Sequence, residues 1–367
     1  MKIKAAVVYD KGGPFTIEDV DLAPPQRDEV LLEVSACGFC HTDAAAREML
    51  FPTPLPAVFG HEGCGTVLST GEGVTGFVPG DRVGFSYSWC GECECCRTGR
   101  PYGCERNREL NFGGVNFDGT KRLSKNGREL SSFFGQSAFA THAVVHKNNL
   151  YPIPGDMDAR IAAPLGCGVQ TGAGAVFNYL HPSAASTLMV TGCGVVGLSA
   201  VMAAKAAGCR EIIGVDIVQS RLELALELGA TQIINPAETP DVVSEAKRMT
   251  RGLGPDYAID CSGNADCVRR SLNAVRALGI CVMLGSTPDV TFHGESELMG
   301  LGKTLVGLVE GCSVPQVFIP KLLDYYRQGR FPFDRLITFY DFEDINKACA
   351  DMLAGKVLKP VLVMNGG

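Results

Sequence analysis

Four cysteines lie close together in the first third of this sequence, at a spacing that suits a metal ion. Cys90, Cys93, Cys96 and Cys104 are separated by two, two and seven residues. Four thiolates at this spacing can close a tetrahedral shell around zinc, which leaves no position open for a substrate. The alternative is a pair of local disulfides, which a reducing compartment disfavours. We therefore predict a structural zinc, with the neighbouring Cys95 outside its shell.

A glycine-rich motif occurs in the second half of the chain. Residues 192–197 read Gly-Cys-Gly-Val-Val-Gly, which has the form G-x-G-x-x-G. Gly192 permits a tight turn, Gly194 lets a pyrophosphate approach the backbone, and Gly197 lets the following helix pack closely on the preceding strand. The helix N-terminus that follows also favours a phosphate. This pattern predicts a dinucleotide-binding site.

An acidic residue follows the motif at the distance that a ribose contact requires. Asp216 lies 19 residues after Gly197, at the end of the next predicted strand. A carboxylate there accepts hydrogen bonds from the ribose hydroxyls and repels a 2′-phosphate, which favours NAD over NADP. The alternative is a purely structural glycine turn with an acidic residue on the surface.

The predicted elements that must position these residues differ between the two halves of the chain. The first 155 residues or so are β-rich, with Val30–Val34 and Gly65–Leu68 as examples of short strands between Gly and Pro turns. Beyond Cys167, strands alternate with helices, which indicates βαβ units and a parallel sheet. The strands predicted there are Thr187–Thr191, Glu211–Val215, Asp256–Asp260 and Ile280–Leu284, and the helices are Val195–Ala207 and Arg221–Leu228. The tail adds a helix, Pro315–Gln328, and a strand, Val361–Met364.

Composition excludes several classes of partner. The net charge is −7 with no long basic run, so we expect neither nucleic acid nor an anionic membrane surface as a partner. No apolar stretch reaches the length of about 18 residues that a membrane span needs, and the N-terminus lacks a signal-peptide core. Sixteen cysteines in a chain of 367 residues favour metal binding in a cytoplasmic protein over a disulfide framework.

Three further segments, taken with the two motifs above, carry a resemblance to a known family. They are Cys37-Gly38-Phe39-Cys40-His41-Thr42-Asp43, Gly60-His61-Glu62-Gly63 and Leu165-Gly166-Cys167-Gly168. In this order, and over essentially the whole chain, the set resembles the zinc-dependent medium-chain alcohol dehydrogenases. Spacing alone would not have connected these scattered segments.

The resemblance implies a second, catalytic zinc site. Cys40, His61 and Cys167 correspond to its three protein ligands, which leave a fourth position for water or alcohol. Glu62 corresponds to an acid near the metal that is a possible transient ligand. Asp43, His41 and Thr42 have implied roles as well. Asp43 orients the ligand histidine, His41 faces the cofactor pyrophosphate, and Thr42 accepts the alcohol proton.

The resemblance also implies further cofactor contacts and one departure from the family pattern. Lys359 stands where relatives often carry an arginine that faces the pyrophosphate, and Thr171 and Val196 resemble residues that line the nicotinamide. Better-known relatives place a histidine five residues after the first zinc ligand, as the outer end of a proton relay. Here that position is Ala45.

The fold class implied is α/β, with a β-rich GroES-like catalytic domain plus a Rossmann domain, which is a doubly wound parallel sheet. We place the catalytic domain at residues 1–168 and 312–367, and the NAD-binding domain at residues 169–311. Two zinc ions and one NAD are expected in each chain, and the family implies a homodimer or a homotetramer.

The expected function is hydride transfer between a primary alcohol and NAD, giving the aldehyde. By position in the family pattern, Phe51, Phe133, Phe134 and Leu284 line the substrate pocket, and the segment around Phe133 resembles the aryl-alcohol branch. These rings predict a preference for aromatic or allylic alcohols, although they could instead be domain core. The alternatives are a polyol or S-hydroxymethylglutathione dehydrogenase of the same superfamily and a non-catalytic NAD-binding protein.

Overall fold

The computed structural model describes residues 1–364, and these residues form two compact units. Unit 1 comprises Met1–Cys167, Val314–Pro320 and the segment from Asp334 onward, and unit 2 comprises Gly168–Ser313 and Lys321–Phe333. The sequence placed all of 312–367 in the first domain. In the structure Lys321–Phe333 groups with unit 2, where Tyr325 stacks on Phe177 with ring centroids 5.2 Å apart. The predicted domain boundaries stay a prediction.

The described residues contain eighteen strands and eleven α-helices. The strands are β1 Lys2–Val8, β2 Thr16–Leu22, β3 Glu29–Gly38, β4 Ala57–Val58, β5 Glu62–Thr70, β6 Arg82–Phe85, β7 Leu123–Lys125, β8 Arg128–Leu130, β9 His142–His146, β10 Leu150–Pro152, β11 Thr187–Thr191, β12 Glu211–Val215, β13 Gln232–Ile234, β14 Tyr257–Asp260, β15 Ile280–Met283, β16 Thr304–Gly307, β17 Ile337–Asp341 and β18 Lys359–Val363. The α-helices are α1 His41–Arg47, α2 Glu94–Arg97, α3 Asn107–Phe112, α4 Ala159–Ala162, α5 Gly168–Gly174, α6 Val195–Ala207, α7 Gln219–Leu228, α8 Val242–Met249, α9 Ala265–Ala274, α10 Pro315–Arg327 and α11 Ile345–Leu353.

Unit 1 contains two largely antiparallel sheets. One has the order β4-β1-β2-β7-β8, and the other has the order β10-β6-β5-β3-β18-β17, with β9 also paired to β3. The C-terminal β18 pairs antiparallel with β3, so the end of the chain completes a sheet that begins near residue 30. The core of this unit is rich in aromatic rings, including Phe39, Phe59 and Phe139, all fully buried. The β-rich first domain that the sequence predicted is therefore present.

Unit 2 contains one parallel sheet of six strands in the order β13-β12-β11-β14-β15-β16. If the strands of this unit are numbered from β11 as 1 to β16 as 6, the order is 3-2-1-4-5-6. This is the strand order of a doubly wound dinucleotide-binding fold. The helix predicted at Val195–Ala207 has those same bounds, while α7 begins two residues before its predicted start at Arg221. The Rossmann fold class predicted from the sequence is confirmed.

Two findings bear on the sequence expectations about membranes and disulfides. Within residues 1–364, no helix is long and apolar enough to cross a membrane. All sixteen cysteines lie in this range, and each is a free thiol. The four-cysteine segment is therefore not folded around local disulfides.

Candidate active site

The structure brings the scattered family segments together in unit 1. Cys40, His61, Glu62 and Cys167 each offer one ligand atom, and all four atoms lie within 4.8 Å of one another. Cys40 immediately precedes α1, and His61 immediately precedes β5. Cys167 follows a 3₁₀ turn that contains Gly166. Two thiols and an imidazole at this separation are a donor set that suits zinc.

Asp43 fixes the orientation of this donor set. Its side chain is fully buried, and Oδ1 accepts from the Gly60 N–H at 3.0 Å and from Nδ1 of His61 at 2.9 Å. Its Oδ2 accepts from the Cys40 N–H at 3.0 Å. Nε2 of His61 is buried and has no hydrogen-bond partner within the described chain. A buried imidazole nitrogen left open beside two thiols fits a metal ion.

Neighbouring groups shift the pKa values of two members of this donor set in opposite directions. A hydrogen bond from the Cys167 thiol, aided by the positive charge of Lys359, holds the pKa of Cys40 well below its ordinary value. Burial lowers the pKa of His61, but the Asp43 carboxylate outweighs this and raises it well above the ordinary value. Both shifts arise from partners that are already placed around the donor atoms.

Lys359 has a different environment from the one that the resemblance implied. Its ammonium is only 3% exposed, and it donates to both Glu62 carboxylate oxygens at 2.8 Å and to the Phe39 carbonyl at 3.2 Å. These bonds use all three of its donors. Gly38 makes room for the pair, since a Cβ there would lie 2.1 Å from Oε2 of Glu62. In the structure Lys359 thus forms an ion pair with Glu62, and its contact with pyrophosphate stays a prediction.

The effect of this ion pair on protonation follows from its burial. Burial raises the pKa of the Glu62 carboxyl, and the Lys359 ammonium opposes that rise. Burial likewise works against the charge of Lys359, but the Glu62 carboxylate raises the pKa of Lys359 above its ordinary value. The ammonium is therefore charged, and it holds the Glu62 side chain beside Cys40, His61 and Cys167.

The four-cysteine cluster forms a second donor set in unit 1. The ligand atoms of Cys90, Cys93, Cys96 and Cys104 all lie within 4.8 Å of one another. The Sγ atoms of Cys93 and Cys96 are 3.4 Å apart, and backbone N–H groups donate to the sulfurs of Cys90 and Cys104. N–H donors stabilise thiolates, so this geometry fits a closed metal site. Cys95 is not a member, as the sequence indicated.

Aromatic side chains surround one face of the first donor set. The Phe134 ring stacks on the His61 ring at 4.5 Å, and the Phe133 ring meets it edge-on at 5.7 Å. Phe112 meets both of these rings edge-on and stacks on Phe51 at 4.6 Å. Phe133 is fully buried and Phe134 is 6% exposed, whereas Phe51 and Phe112 are half-buried. Sequence reasoning missed Phe112, because no local pattern indicates a stack between residues 61 positions apart.

Two serines before the four-cysteine cluster support this aromatic segment. Ser86 Oγ donates to the Gly166 carbonyl at 2.7 Å, and Ser88 Oγ donates to the Phe134 carbonyl at 2.9 Å. Asn149 adds a second donor to the same Phe134 carbonyl at 3.0 Å. Both serines are buried and fix the backbone around the first donor set.

The glycine-rich turn of unit 2 has the geometry that its motif predicts. Gly192 has a φ of +90°, and a Cβ there would approach the Ser262 backbone nitrogen at 3.0 Å. A Cβ at Gly197 would lie 1.9 Å from the Gly192 carbonyl oxygen, whereas nothing lies within 4 Å of one at Gly194. The open side of Gly194, the residue before α6, is where a pyrophosphate could approach the backbone.

The other predicted cofactor residues of unit 2 lie around this turn. The Asp216 carboxylate accepts from the Cys193 N–H at 2.7 Å and from the Val218 N–H at 2.9 Å, so it lies against the turn. Thr171 belongs to α5, and this helix packs closely on the first turn of α6. The contact is so close that a Cβ at Gly172 would lie 1.9 Å from the Val196 carbonyl oxygen.

The remaining predicted residues divide between the two units. In unit 1, His41 is exposed at the start of α1, and Thr42 is half-buried with its Oγ1 3.6 Å from Sγ of Cys40. In unit 2, Leu284 is half-buried just after β15.

Comparison with known proteins identifies the class. Residues 26–155 match the model of the alcohol dehydrogenase GroES-like domain, and residues 195–324 match the model of the zinc-binding dehydrogenase. The chain is 41% identical to a geraniol dehydrogenase from Castellaniella defragrans over 98% of this chain and 97% of that protein. It is 37% identical to a probable S-(hydroxymethyl)glutathione dehydrogenase from Schizosaccharomyces pombe, over 99% and 97% of the two chains.

A solved structure extends the similarity to three dimensions. The benzyl alcohol dehydrogenase of Acinetobacter calcoaceticus is 42% identical and matches 99% of each chain with a TM-score of 0.95. The fold and the two donor sets thus define a zinc-dependent oxidoreductase that uses a nicotinamide cofactor. This chain belongs to the zinc-dependent medium-chain alcohol dehydrogenases.

Proposed function

We propose that this enzyme oxidises primary alcohols with an aromatic or allylic group to their aldehydes, with NAD as the hydride acceptor. The observation that carries the proposal is the Phe134 ring stacked on His61, with Phe112 and Phe51 continuing the aromatic surface. Flat, polarisable substrates gain from such ring contacts. The geraniol and benzyl alcohol dehydrogenases similar to this chain are named for an allylic and an aromatic alcohol.

The proposed roles follow the geometry of unit 1. Cys40, His61 and Cys167 hold the catalytic zinc, and Asp43 keeps Nε2 of His61 directed at it. When bound, zinc lowers the pKa of an alcohol hydroxyl and polarises an aldehyde carbonyl. Thr42 accepts the alcohol proton, which is consistent with its Oγ1 lying 3.6 Å from the Cys40 sulfur.

The cofactor and the second metal belong to the same proposal. Asp216 makes NAD preferred over NADP. The turn that Gly192, Gly194 and Gly197 form receives the pyrophosphate at Gly194, and His41 provides a basic contact to it. The four-cysteine cluster holds a second, structural zinc. We further propose a cytoplasmic homodimer or homotetramer, in line with the free thiols of all sixteen cysteines.

A second candidate function is oxidation of S-hydroxymethylglutathione. The relative at 37% identity carries the name of that activity, as a probable one. Such a substrate has two carboxylates and little flat apolar area, so it would gain little from the aromatic surface. Activity with formaldehyde plus glutathione above that with benzyl alcohol would favour this candidate.

A substrate panel tests the main proposal. We compare benzyl alcohol, cyclohexylmethanol and ethanol by NADH formation, because the first two differ in planarity and conjugation but little in size. We expect kcat/KM to fall in that order. Burying a ring rather than a methyl group gains about 25 cal/mol per Å² of apolar area. Equal kcat/KM for ethanol and benzyl alcohol would contradict the proposal.

A pair of variants tests the aromatic surface directly. Phe51→Ala should lower kcat/KM for benzyl alcohol more than for ethanol, because Phe51 is half-buried and stacked on Phe112. Phe339→Ala is the matched control, since Phe339 is 45% exposed on β17. If Phe51→Ala affects both alcohols equally, Phe51 is a core residue rather than a substrate contact.

A further inference from the structure

Three consecutive residues after β16 have left-handed backbone conformations. The φ angles are +49° at Glu310, +60° at Gly311 and +52° at Cys312. Gly311 is required there, because a Cβ would lie 2.6 Å from the carbonyl oxygens of Gln170 and Thr171. Glu310 and Cys312 flank this glycine, and a left-handed backbone is unfavourable for residues that carry a side chain. Such strain is often retained where a side chain has a function.

The Glu310 side chain reaches the helix on which this turn packs. Its Oε2 accepts from Nε2 of Gln170 at 3.1 Å and from Oγ1 of Thr171 at 3.4 Å. The Asn178 amide donates to the Gly311 carbonyl at 3.1 Å and anchors the turn from the other side. Hydrogen bonds from neutral donors such as these stabilise a carboxylate.

The sheet order places this turn on one particular side of the dinucleotide site. In a doubly wound sheet, ligands bind at the carboxyl ends of the strands, and a dinucleotide extends across both halves of the sheet. The adenosine side is marked by Asp216 after β12, next to the glycine-rich turn after β11. The other half is β14-β15-β16, and Glu310 lies three residues after the end of β16.

The contacts of α5 connect Glu310 to the phosphate turn. Gly168 and Gly172 of α5 pack on Val195 and Val196, which open α6 directly after the glycine-rich turn. Gln170 and Thr171, which both donate to Glu310, lie between these two glycines. Glu310 thus lies on the far side of the pyrophosphate position from Asp216, where the nicotinamide half of the cofactor belongs.

We propose that Glu310 is a cofactor-facing carboxylate that stabilises the oxidised, positively charged nicotinamide over the reduced, neutral one. The proposal rests on nicotinamide binding by this unit but not on the identity of the alcohol. A negative charge near the ring strengthens binding of NAD⁺ and contributes nothing comparable to NADH. The equilibrium between the bound cofactor forms therefore shifts towards NAD⁺ and thus towards aldehyde reduction.

The test is a measurement of two dissociation constants without any alcohol present. NAD⁺ and NADH are titrated against the zinc-loaded enzyme, and the ratio Kd(NAD⁺)/Kd(NADH) is compared between the wild type and Glu310→Gln. We expect the ratio to rise about three- to tenfold in the variant, which is the range for one charge acting across a partly exposed site. Glu310→Asp keeps the charge and should keep the ratio near that of the wild type.

Two further variants separate charge at this place from other effects. Glu295→Gln makes the same charge change at an exposed position of unit 2 and should leave the ratio unchanged. Glu310→Gly removes the charge together with the whole side chain at a position whose backbone suits glycine, and it should raise the Kd ratio as the Gln variant does. If both Glu310→Gln and Glu310→Gly leave the ratio unchanged, Glu310 is only structural and the proposal is overturned. An enzyme that prefers another alcohol would refute the proposed function without changing this result.

Discussion

The two donor sets of unit 1 use similar ligands but are assembled in different ways. The four-cysteine cluster lies within fifteen consecutive residues, Cys90–Cys104, and its sulfurs receive N–H donors from that same segment. The Cys40–His61–Cys167 set comes from three separate elements, and a buried carboxylate orients it from outside. A local site can form wherever its loop folds, whereas a distributed site needs the surrounding sheets to be in place first. The difference predicts that damage to the two sites has different consequences.

The strongest test exchanges one ligand in each set. Cys40→Ser should lower kcat by at least on the order of a thousandfold, since the Lewis acid supplies several kcal/mol to the reaction. It should change Tm little. Cys93→Ser should instead lower Tm by about 10 °C, because a structural zinc contributes directly to folding. Steady-state kinetics and thermal unfolding are measured for both variants.

Metal analysis completes this comparison. The wild type should contain two zinc ions in each chain, and each variant should contain one. Cys95→Ser controls for loss of a thiol in the same loop and should keep both ions. A freshly purified active wild type with a single zinc would show that the two donor sets are not both metal sites.

The next test concerns the carboxylate that orients the distributed set. Asp43 accepts three N–H bonds, from Cys40, Gly60 and His61, so Asp43→Asn must turn an amide NH₂ towards at least one of these donors. We expect zinc affinity at this site to fall about 10- to 100-fold, with the four-cysteine site unchanged. Competition with a chelator measures both. Asp158→Asn, at the N-cap of α4, is the control, because Asn caps a helix as well as Asp does.

The distance along the chain between contacting residues also explains how much of the fold and of the site could be predicted from the sequence. The helix Val195–Ala207, its glycine-rich turn and the four-cysteine cluster were all predicted, because each depends on residues within about one turn or one loop. The pairing of Lys359 with Glu62 joins residues 297 positions apart, and no local pattern in the sequence indicates it. The left-handed turn at Glu310 had no sequence signal, because only one of its three residues is glycine. Contacts of that kind depend on how sheets and helices pack.

We expect a smaller effect from Asp216, the residue proposed to select NAD over NADP. The glycine-rich motif predicted its role, and in the structure its carboxylate lies against the turn at Cys193. Asp216→Asn keeps one hydrogen-bond acceptor but removes the charge that a 2′-phosphate would meet. The preference for NAD over NADP, measured as a ratio of kcat/KM values, should narrow about tenfold. A wild type with equal efficiency for both cofactors would contradict the role of Asp216.

The smallest expected effect concerns Ala45, which stands where better-known relatives carry a histidine. It lies in α1, the helix that directly follows Cys40. Ala45 is half-buried in α1, two residues after Asp43, and it offers no group that can exchange a proton. Without a histidine there, we expect the proton from Thr42 to reach water through the cofactor ribose. Ala45→His should therefore add an inflection to the pH profile of alcohol oxidation between about pH 5 and 8, where imidazole titrates.

The sign of that change follows from the state of the imidazole. Below its pKa the new histidine is already protonated and cannot accept a proton, so the added rate should appear as pH rises through that pKa. The gain should be a few-fold at most, because the existing route remains. Met49→His places the same group at a position that is 49% exposed and just beyond α1, and it should leave the profile unchanged. If Ala45→His and Met49→His give the same profile as the wild type, proton release through this side of α1 does not limit the reaction. The site formed by Cys40, His61 and Cys167 would then work without a proton relay on the surface of α1.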